Sequence, residues 1–486
     1  STADGSYGIG QTINITATAS EAVQAGNTIT VTLDTGATVV LTAASAGTTL
    51  TGTYTIVAAQ NSSDLTVSSF AIGTVADTAG NSMTSTTVPT GTSNIAGAQA
   101  IVVDGTRPTV SSFTSAQSTP TNAASFTYTL TFSEAVTGVA AGDFSNTGTA
   151  TGCTFAPGTD SGTTRTVTVS ACSAGTVIPQ FAASGALDGA SNTGPTAAAT
   201  ATTTITRDVT APTVSSFSST TADGSYKAGA TINVTATTSE AIQTGASLTV
   251  TLDTGATVAL SYATSTTLTG TYTVAASQNS SDLTVSSYTI GTVLDTAGNS
   301  MTSTTVPSGA SNIAGAKAIV IDTTVPTVSA FTSAQSTPTN ASSFTYALTF
   351  SEAVTGVAAG DFSNTGTATG CVFAPGTDSG STRTVTVTGC SGGTVTPQFA
   401  AAGANDAVGN SGPASAATAT TTITRDITAP TVSSFTSAQT TPTGATSFTY
   451  TLTFSEAVSG LAASAFANTG TATSCSFSPS ASSGTT

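Results

Sequence analysis

Phe126, Tyr128, Leu130 and Phe132 alternate with Thr127, Thr129 and Thr131. Ile13, Ile15 and Ala17 alternate in the same way with Asn14, Thr16 and Thr18. A period of two sends one set of side chains to a core and the other to solvent, as a half-buried β-strand requires. The apolar residues of such runs are β-branched or aromatic, which suits a pleated surface. Gly, Asn and Asp punctuate about seven runs per hundred residues, a spacing that predicts an antiparallel two-sheet sandwich.

The runs recur. Thr2-Ala-Asp-Gly-Ser-Tyr7 returns as Thr221-Ala-Asp-Gly-Ser-Tyr226, and Asp77-Thr-Ala-Gly-Asn81 as Asp295-Thr-Ala-Gly-Asn299. A second repeat type carries Phe126–Glu134, found again at Phe344–Glu352 and Phe448–Glu456. The order is A, B, A, B, B. A shared motif separates the repeats: Asp104-Gly-Thr-Arg-Pro108, Asp208-Val-Thr-Ala-Pro212, Asp322-Thr-Thr-Val-Pro326 and Asp426-Ile-Thr-Ala-Pro430, each followed by Thr-Val. Proline fixes φ and has no N–H, so it suits a stiff, extended crossing between units. The expected divisions are 1–105 (type A, first strand missing), 106–209 (B), 210–323 (A), 324–427 (B) and 428–486 (B, truncated). Incomplete outer repeats suggest a segment of a longer array. Strands donated by a neighbouring chain are the alternative.

Composition narrows the function. Of 486 residues only 6% are charged, Lys+Arg is 7 against Asp+Glu 23, and His and Trp are absent. Without His there is no histidine general base or histidine-ligated metal. Two Lys and five Arg, scattered, make no phosphate-binding stripe, so no nucleic-acid partner is expected. No apolar run reaches the length of a membrane span. No aromatic-lined cleft accompanies the acids, and their recurrence in every repeat argues against a glycosidase pair. The chain is not expected to be an enzyme.

Pro-Thr-Val-Ser-Ser-Phe, Phe-Thr-Tyr-Thr-Leu-Thr-Phe-Ser-Glu-Ala-Val and Asp-Thr-Ala-Gly-Asn resemble the bacterial immunoglobulin-like repeats of large surface adhesins and biofilm-associated proteins. The resemblance covers essentially the whole chain. It implies an all-β fold, a tandem array of Ig-like antiparallel β-sandwiches forming an extended rod. It also implies secretion to the cell surface, a stalk role and calcium at the junctions. The adhesion target is not readable from the residues.

The placement of the acids bears on that calcium. All five Glu lie in Ser-Glu-Ala-Val/Ile, one per repeat: Glu21, Glu134, Glu240, Glu352 and Glu456. If each repeat's second strand returns towards the preceding linker, its Glu meets the linker Asp. The loop with Asp77, Asp188, Asp295 or Asp406 returns to the same end. Three carboxylates then converge: Asp104, Glu134 and Asp188; Asp208, Glu240 and Asp295; Asp322, Glu352 and Asp406. The outer repeats keep two each, Glu21 with Asp77 and Asp426 with Glu456. Clustered carboxylates repel unless protonated or bridged by a cation, and Ca²⁺ accepts six to eight oxygens in tolerant geometry. Asn81 and its equivalents could complete the shell, and Asp143 and Asp361 are secondary candidates. The plainer reading is that these acids cap turns and keep the chain soluble.

The cysteines follow repeat type. Cys153 and Cys172 sit astride a turn-rich stretch, Pro157–Thr164, and Cys371 and Cys390 repeat the arrangement. Two strands folded back around that turn would bring each pair within bridging distance. Cys475 aligns with Cys153 and has no partner in the sequence. Oxidised pairs point to an exported protein. The expected function is a structural stalk or fibre segment, with neighbouring repeats, and in a fibre identical chains, as partners. The rivals are a glycan- or protein-binding module and a subunit that polymerises by strand exchange.

Overall fold

The computed structural model describes residues 2–159, 162–377, 380–480 and 483–486; Asp160 and Ser161 of the turn between the cysteines lie outside them. The chain is all-β, with short helical turns. Four hydrophobic clusters succeed one another along it, drawn from residues 7–103, 110–205, 214–321 and 328–423. No helix among the described residues is long and apolar enough to cross a membrane.

The alternation reads directly onto burial. In the strand Ser125–Phe132, Phe126, Tyr128, Leu130 and Phe132 are buried, while Thr127 and Thr129 are exposed. This strand pairs antiparallel with Thr164–Ser170 and with Val110–Thr114, and Thr154–Pro157 completes a four-stranded sheet. The fourth repeat has the same sheet from Val328–Thr332, Ser343–Phe350, Thr382–Thr388 and Val372–Pro375. The third repeat builds six antiparallel strands in the spatial order Val214–Ser218, Thr231–Thr238, Thr267–Thr273, Thr257–Thr264, Ser247–Leu252, Val285–Thr292. The first repeat has the corresponding sheet with five, beginning at Thr12–Val23.

One expectation needs correction. The sheets are not purely antiparallel: Gly5–Tyr7 runs parallel to Ile101–Asp104, and Gly224–Tyr226 parallel to Ile319–Ile321. The isolated bridges Thr121↔Arg207 and Thr339↔Arg425 are parallel as well. Segments near the start and the end of a repeat therefore run the same way, which period-two patterning carries no information about. Two four-residue helices, Ile95–Ala98 and Ile313–Ala316, also escape that patterning because they are shorter than two turns. Asn94 and Asn312 cap them through the N–H of Ile95 and Ile313.

The type B cores hold a polar tie. The hydroxyl of buried Tyr128 donates to the carbonyls of Val177 (2.9 Å) and Thr203 (3.1 Å), and burial pushes its pKa to about 12. Tyr346 donates likewise to Val395. Tyr128→Phe removes the single proton these two carbonyls share and is expected to destabilise the second repeat by roughly 1–2 kcal/mol. Chemical denaturation of that transition checks it, and an unchanged midpoint would contradict the tie.

Both expected disulfides are present, Cys153–Cys172 and Cys371–Cys390, each joining neighbouring strands with Cα atoms 4.1 Å apart. Cys475 is free and exposed. Thr154 pairs with Ser170, so Cys172 sits one residue beyond strict register. Ala171 absorbs the extra residue at φ 59°, and Gly389 does so at φ 73° in the fourth repeat.

Candidate metal centres

Three sets of backbone contacts assemble each acidic cluster. The linker is tied to the Glu-bearing strand: Ser133 N–H donates to Thr109 O, and Thr109 N–H to Ser133 Oγ. Thr213 with Ser239, and Thr327 with Ser351, repeat this exchange. The Glu loop is tied to the Asp loop by the bridges Thr137↔Leu187, Ile242↔Asp295 and Thr355↔Asn405. The Asp loop is tied to the linker by an asparagine. Asn192 Nδ2 donates to Asp104 O (2.8 Å), Asn299 to Asp208 O (3.1 Å) and Asn410 to Asp322 O (3.0 Å). Glycine permits the closest approach, since a Cβ on Gly194 would stand 2.2 Å from Pro108 O, and one on Gly412 2.2 Å from Pro326 O.

The result is three trios: Asp104, Glu134, Asp188; Asp208, Glu240, Asp295; Asp322, Glu352, Asp406. One oxygen from each member lies within 4.8 Å of the others. In every trio the loop Asp is buried and the other two are half-buried. Asp104 closes the strand Ile101–Asp104 of the first core, whereas Glu134 and Asp188 follow strands of the second, so each trio draws on two successive repeats.

The three glutamates are all pushed in one direction. Burial, then Asp188 and Asp104, raise the pKa of Glu134. Burial, then Asp208 and Asp295, raise that of Glu240. Burial, then Asp406 and Asp322, raise that of Glu352. Burial also pushes Asp406 up, but hydrogen bonds from Asn410, Gly409 and Val408 outweigh it and hold that carboxyl below its usual range. Among the described residues, no Lys or Arg forms an ion pair with a trio.

Two oxygens bound to one Ca²⁺ at 2.3–2.6 Å can lie up to about 5 Å apart, so the spacing suits a shared ion. The donor set is oxygen only, which favours a hard divalent cation over softer metals. At the equivalent place in the fifth repeat, Glu456 Oε1 is buried with no hydrogen-bond partner among the described residues. The three trios therefore fit a hard divalent cation such as Ca²⁺.

Without a cation, the folded state binds protons more readily than the unfolded chain between the ordinary and the raised Glu pKa. Stability contributed by these sites is then lost as pH rises through that window. A bound cation keeps the carboxylates ionised and reverses the sense. Acidification from neutral pH towards that window is expected to raise the melting temperature in chelator and lower it in calcium. Parallel trends in the two conditions would contradict the coupling.

The remaining acids stand outside the trios. Glu21 is exposed and Asp77 half-buried, and no third acid joins them among the described residues. Hydrogen bonds, foremost from the Asn81 side chain, lower the Asp77 pKa. Asp426 and Glu456 likewise form no trio. Asp143 and Asp361 cap one-turn helices, accepting from the N–H of Ala140 and Ala358 (both 2.7 Å). The asparagines expected to complete the shell act as clasps through Nδ2, and Asn192 Oδ1 also accepts from Ile9 N–H of the preceding repeat at 2.6 Å.

Sequence reasoning missed the arginines. Arg165 and Arg383, each 1% exposed, donate to the carbonyls of Val136 and Val354, which follow Glu134 and Glu352. Arg165 Nη1 also reaches Gly162 O and Thr164 O. The signal was available, because Arg165 is in phase with inward-facing Val167 and Val169. Arg165→Met should cost about 3 kcal/mol in the second repeat by stranding buried carbonyls. A loss below 0.5 kcal/mol in denaturant titration would deny it that role.

No family model matches the chain, and no curated protein does. Among solved structures it is similar to one described as "Structural insight into host cell surface retention of a 1.5-MDa bacterial ice-binding adhesin". The identity is 18%, covering 61% of this chain and 90% of that one, with a TM-score of 0.28. A likeness this distant carries no functional argument, and the reading that follows rests on the residues of the chain itself.

Proposed function

We propose that the chain is a structural stretch of an exported bacterial surface protein, a stalk of tandem Ig-like sandwiches stiffened by calcium at its junctions. The repeats are 1–105, 106–209, 210–323, 324–427 and 428–486. The observation that carries the reading is the recurrence of one carboxylate trio between each successive pair of the four cores. A cation held by a linker Asp and by two acids of the next repeat fixes the angle between neighbours. Asp104, Glu134 and Asp188 would hold it at the first junction, with loop carbonyls and water completing the shell.

Further contacts support a stiff junction. Asn122 N–H donates to Ala297 O (3.1 Å), and Lys227 Nζ to Gly409 O (3.0 Å), each across a repeat boundary. Disulfides in both complete type B repeats support an oxidising compartment outside the cell. The Phe and Tyr residues of the four cores are largely buried, which leaves those repeats little aromatic surface for recognising a glycan. Strands of 7–10 residues give repeats of about 40 Å, so four and a half in line would extend about 180 Å.

Isothermal titration of the whole chain with calcium tests the reading. About three ions per chain are expected, one per trio. No heat, together with a melting curve indifferent to chelator, would sink the proposal.

A further inference from the structure

The two repeat types bring the linker Asp to a junction by different means. In type A the residue before it belongs to the core: buried Val103 precedes Asp104, and buried Ile321 precedes Asp322. Type B places an arginine there, Arg207 before Asp208 and Arg425 before Asp426. Half-buried Arg207 closes the strand Ile205–Arg207. Its Nη1 donates to Cys172 O (2.6 Å) and its Nε to Ala123 O (3.3 Å). Arg425 repeats this clasp on the carbonyls of Cys390 and Ala341, so the clasp follows repeat type.

The clasp reaches the second trio by two routes. Asp208 follows Arg207 directly, and its N–H donates to Thr121 O (3.0 Å). Thr121 N–H donates in turn to Thr206 O (3.0 Å), so buried Thr121 lies parallel beside the strand that Arg207 ends. Two residues on, Ala123 O takes the bond from Nε. Between them, Asn122 N–H crosses to Ala297 O (3.1 Å), in the loop that carries Asp295. Arg207 thus holds two segments of the second repeat that meet the third, the linker Asp and the turn Thr121 to Ala123.

We infer that Arg207 is the positioning residue of the second trio. Its clasp fixes where Asp208 and Asn122 meet the Asp295 loop, and so sets how tightly Asp208, Glu240 and Asp295 take a cation. The inference rests on the calcium reading above. Among the described residues no Arg pairs with a trio carboxylate, so the effect is one of geometry. The charge alone would act the other way, since a nearby guanidinium repels Ca²⁺ and its removal would tighten binding. Groups that orient metal ligands from behind carry about 10- to 100-fold of a site's affinity.

The test is calcium titration of the whole chain carrying Arg207→Met. One of about three sites should weaken about tenfold, and the other two should keep wild-type affinity. Arg207→Lys keeps the charge and reaches one carbonyl, so it should recover part of the loss. In a Glu240→Gln background, which already lacks the second site, Arg207→Met should change nothing further. A merely structural role would weaken the first trio too, because Glu134 and Asp188 belong to the same repeat as Arg207. Weakening in the Glu240→Gln background therefore overturns the inference, as do three unchanged affinities or a tightened site. Failure of the calcium reading itself looks different: the wild-type chain takes up no calcium, and both fall.

Discussion

Glu240→Gln should abolish calcium binding at one junction and change stability with opposite signs in calcium and in chelator. In chelator, Glu240 is held near Asp208 and Asp295 at the cost of burial and repulsion, which raise its pKa. The neutral, isosteric amide removes that repulsion, so the cation-free protein should gain slightly. In calcium the variant loses a ligand carboxylate. A ligand at a hundredfold its dissociation constant stabilises the folded state by about 2.7 kcal/mol, and most of that should disappear at this junction. The other trios share no residue with it, so titration should fall from about three ions to two. A structural role alone, with the acids only capping turns, would give the same sign of effect in both conditions.

Removing one disulfide should produce the second large effect. Cys153→Ser with Cys172→Ser frees a loop of 19 residues in the unfolded chain, worth roughly 3 kcal/mol in the chain-entropy model. Cys172 is also buried against the second core. Arg207 Nη1 still holds Cys172 O at 2.6 Å, so the strand end should stay in place and the loss should be one of stability rather than fold. Calorimetry should show one transition moving down while the third repeat, which lacks cysteine, is unmoved. Reducing the unmodified protein should move two transitions. A shift of the third repeat, or none at all, would contradict the assignment.

Legibility tracked the physical origin of each feature. The strand Ser125–Phe132 was readable because burial of one face imposes a period of two. The convergence of Asp208, Glu240 and Asp295 was readable because repetition located the linker, the returning strand and the loop separately. The parallel pairing of Gly224–Tyr226 with Ile319–Ile321 was not, since direction leaves no mark on side-chain alternation. Nor was the clasp role of Asn192, whose amide was read as a ligand although its position suits a donor equally well. Arg165 leaves no mark in a count of charge, and only its phase with Val167 and Val169 places it inside.

Small-angle scattering of single chains, in calcium and then in chelator, bears most directly on the account. A stiff line of repeats about 180 Å long has a radius of gyration near 50 Å, whereas a compact body of 486 residues has about 25 Å. The account predicts the larger value in calcium, with a maximum dimension that shortens and broadens when the ion is removed. A value near 25 Å, or profiles that superimpose with and without calcium, would contradict a calcium-stiffened stalk.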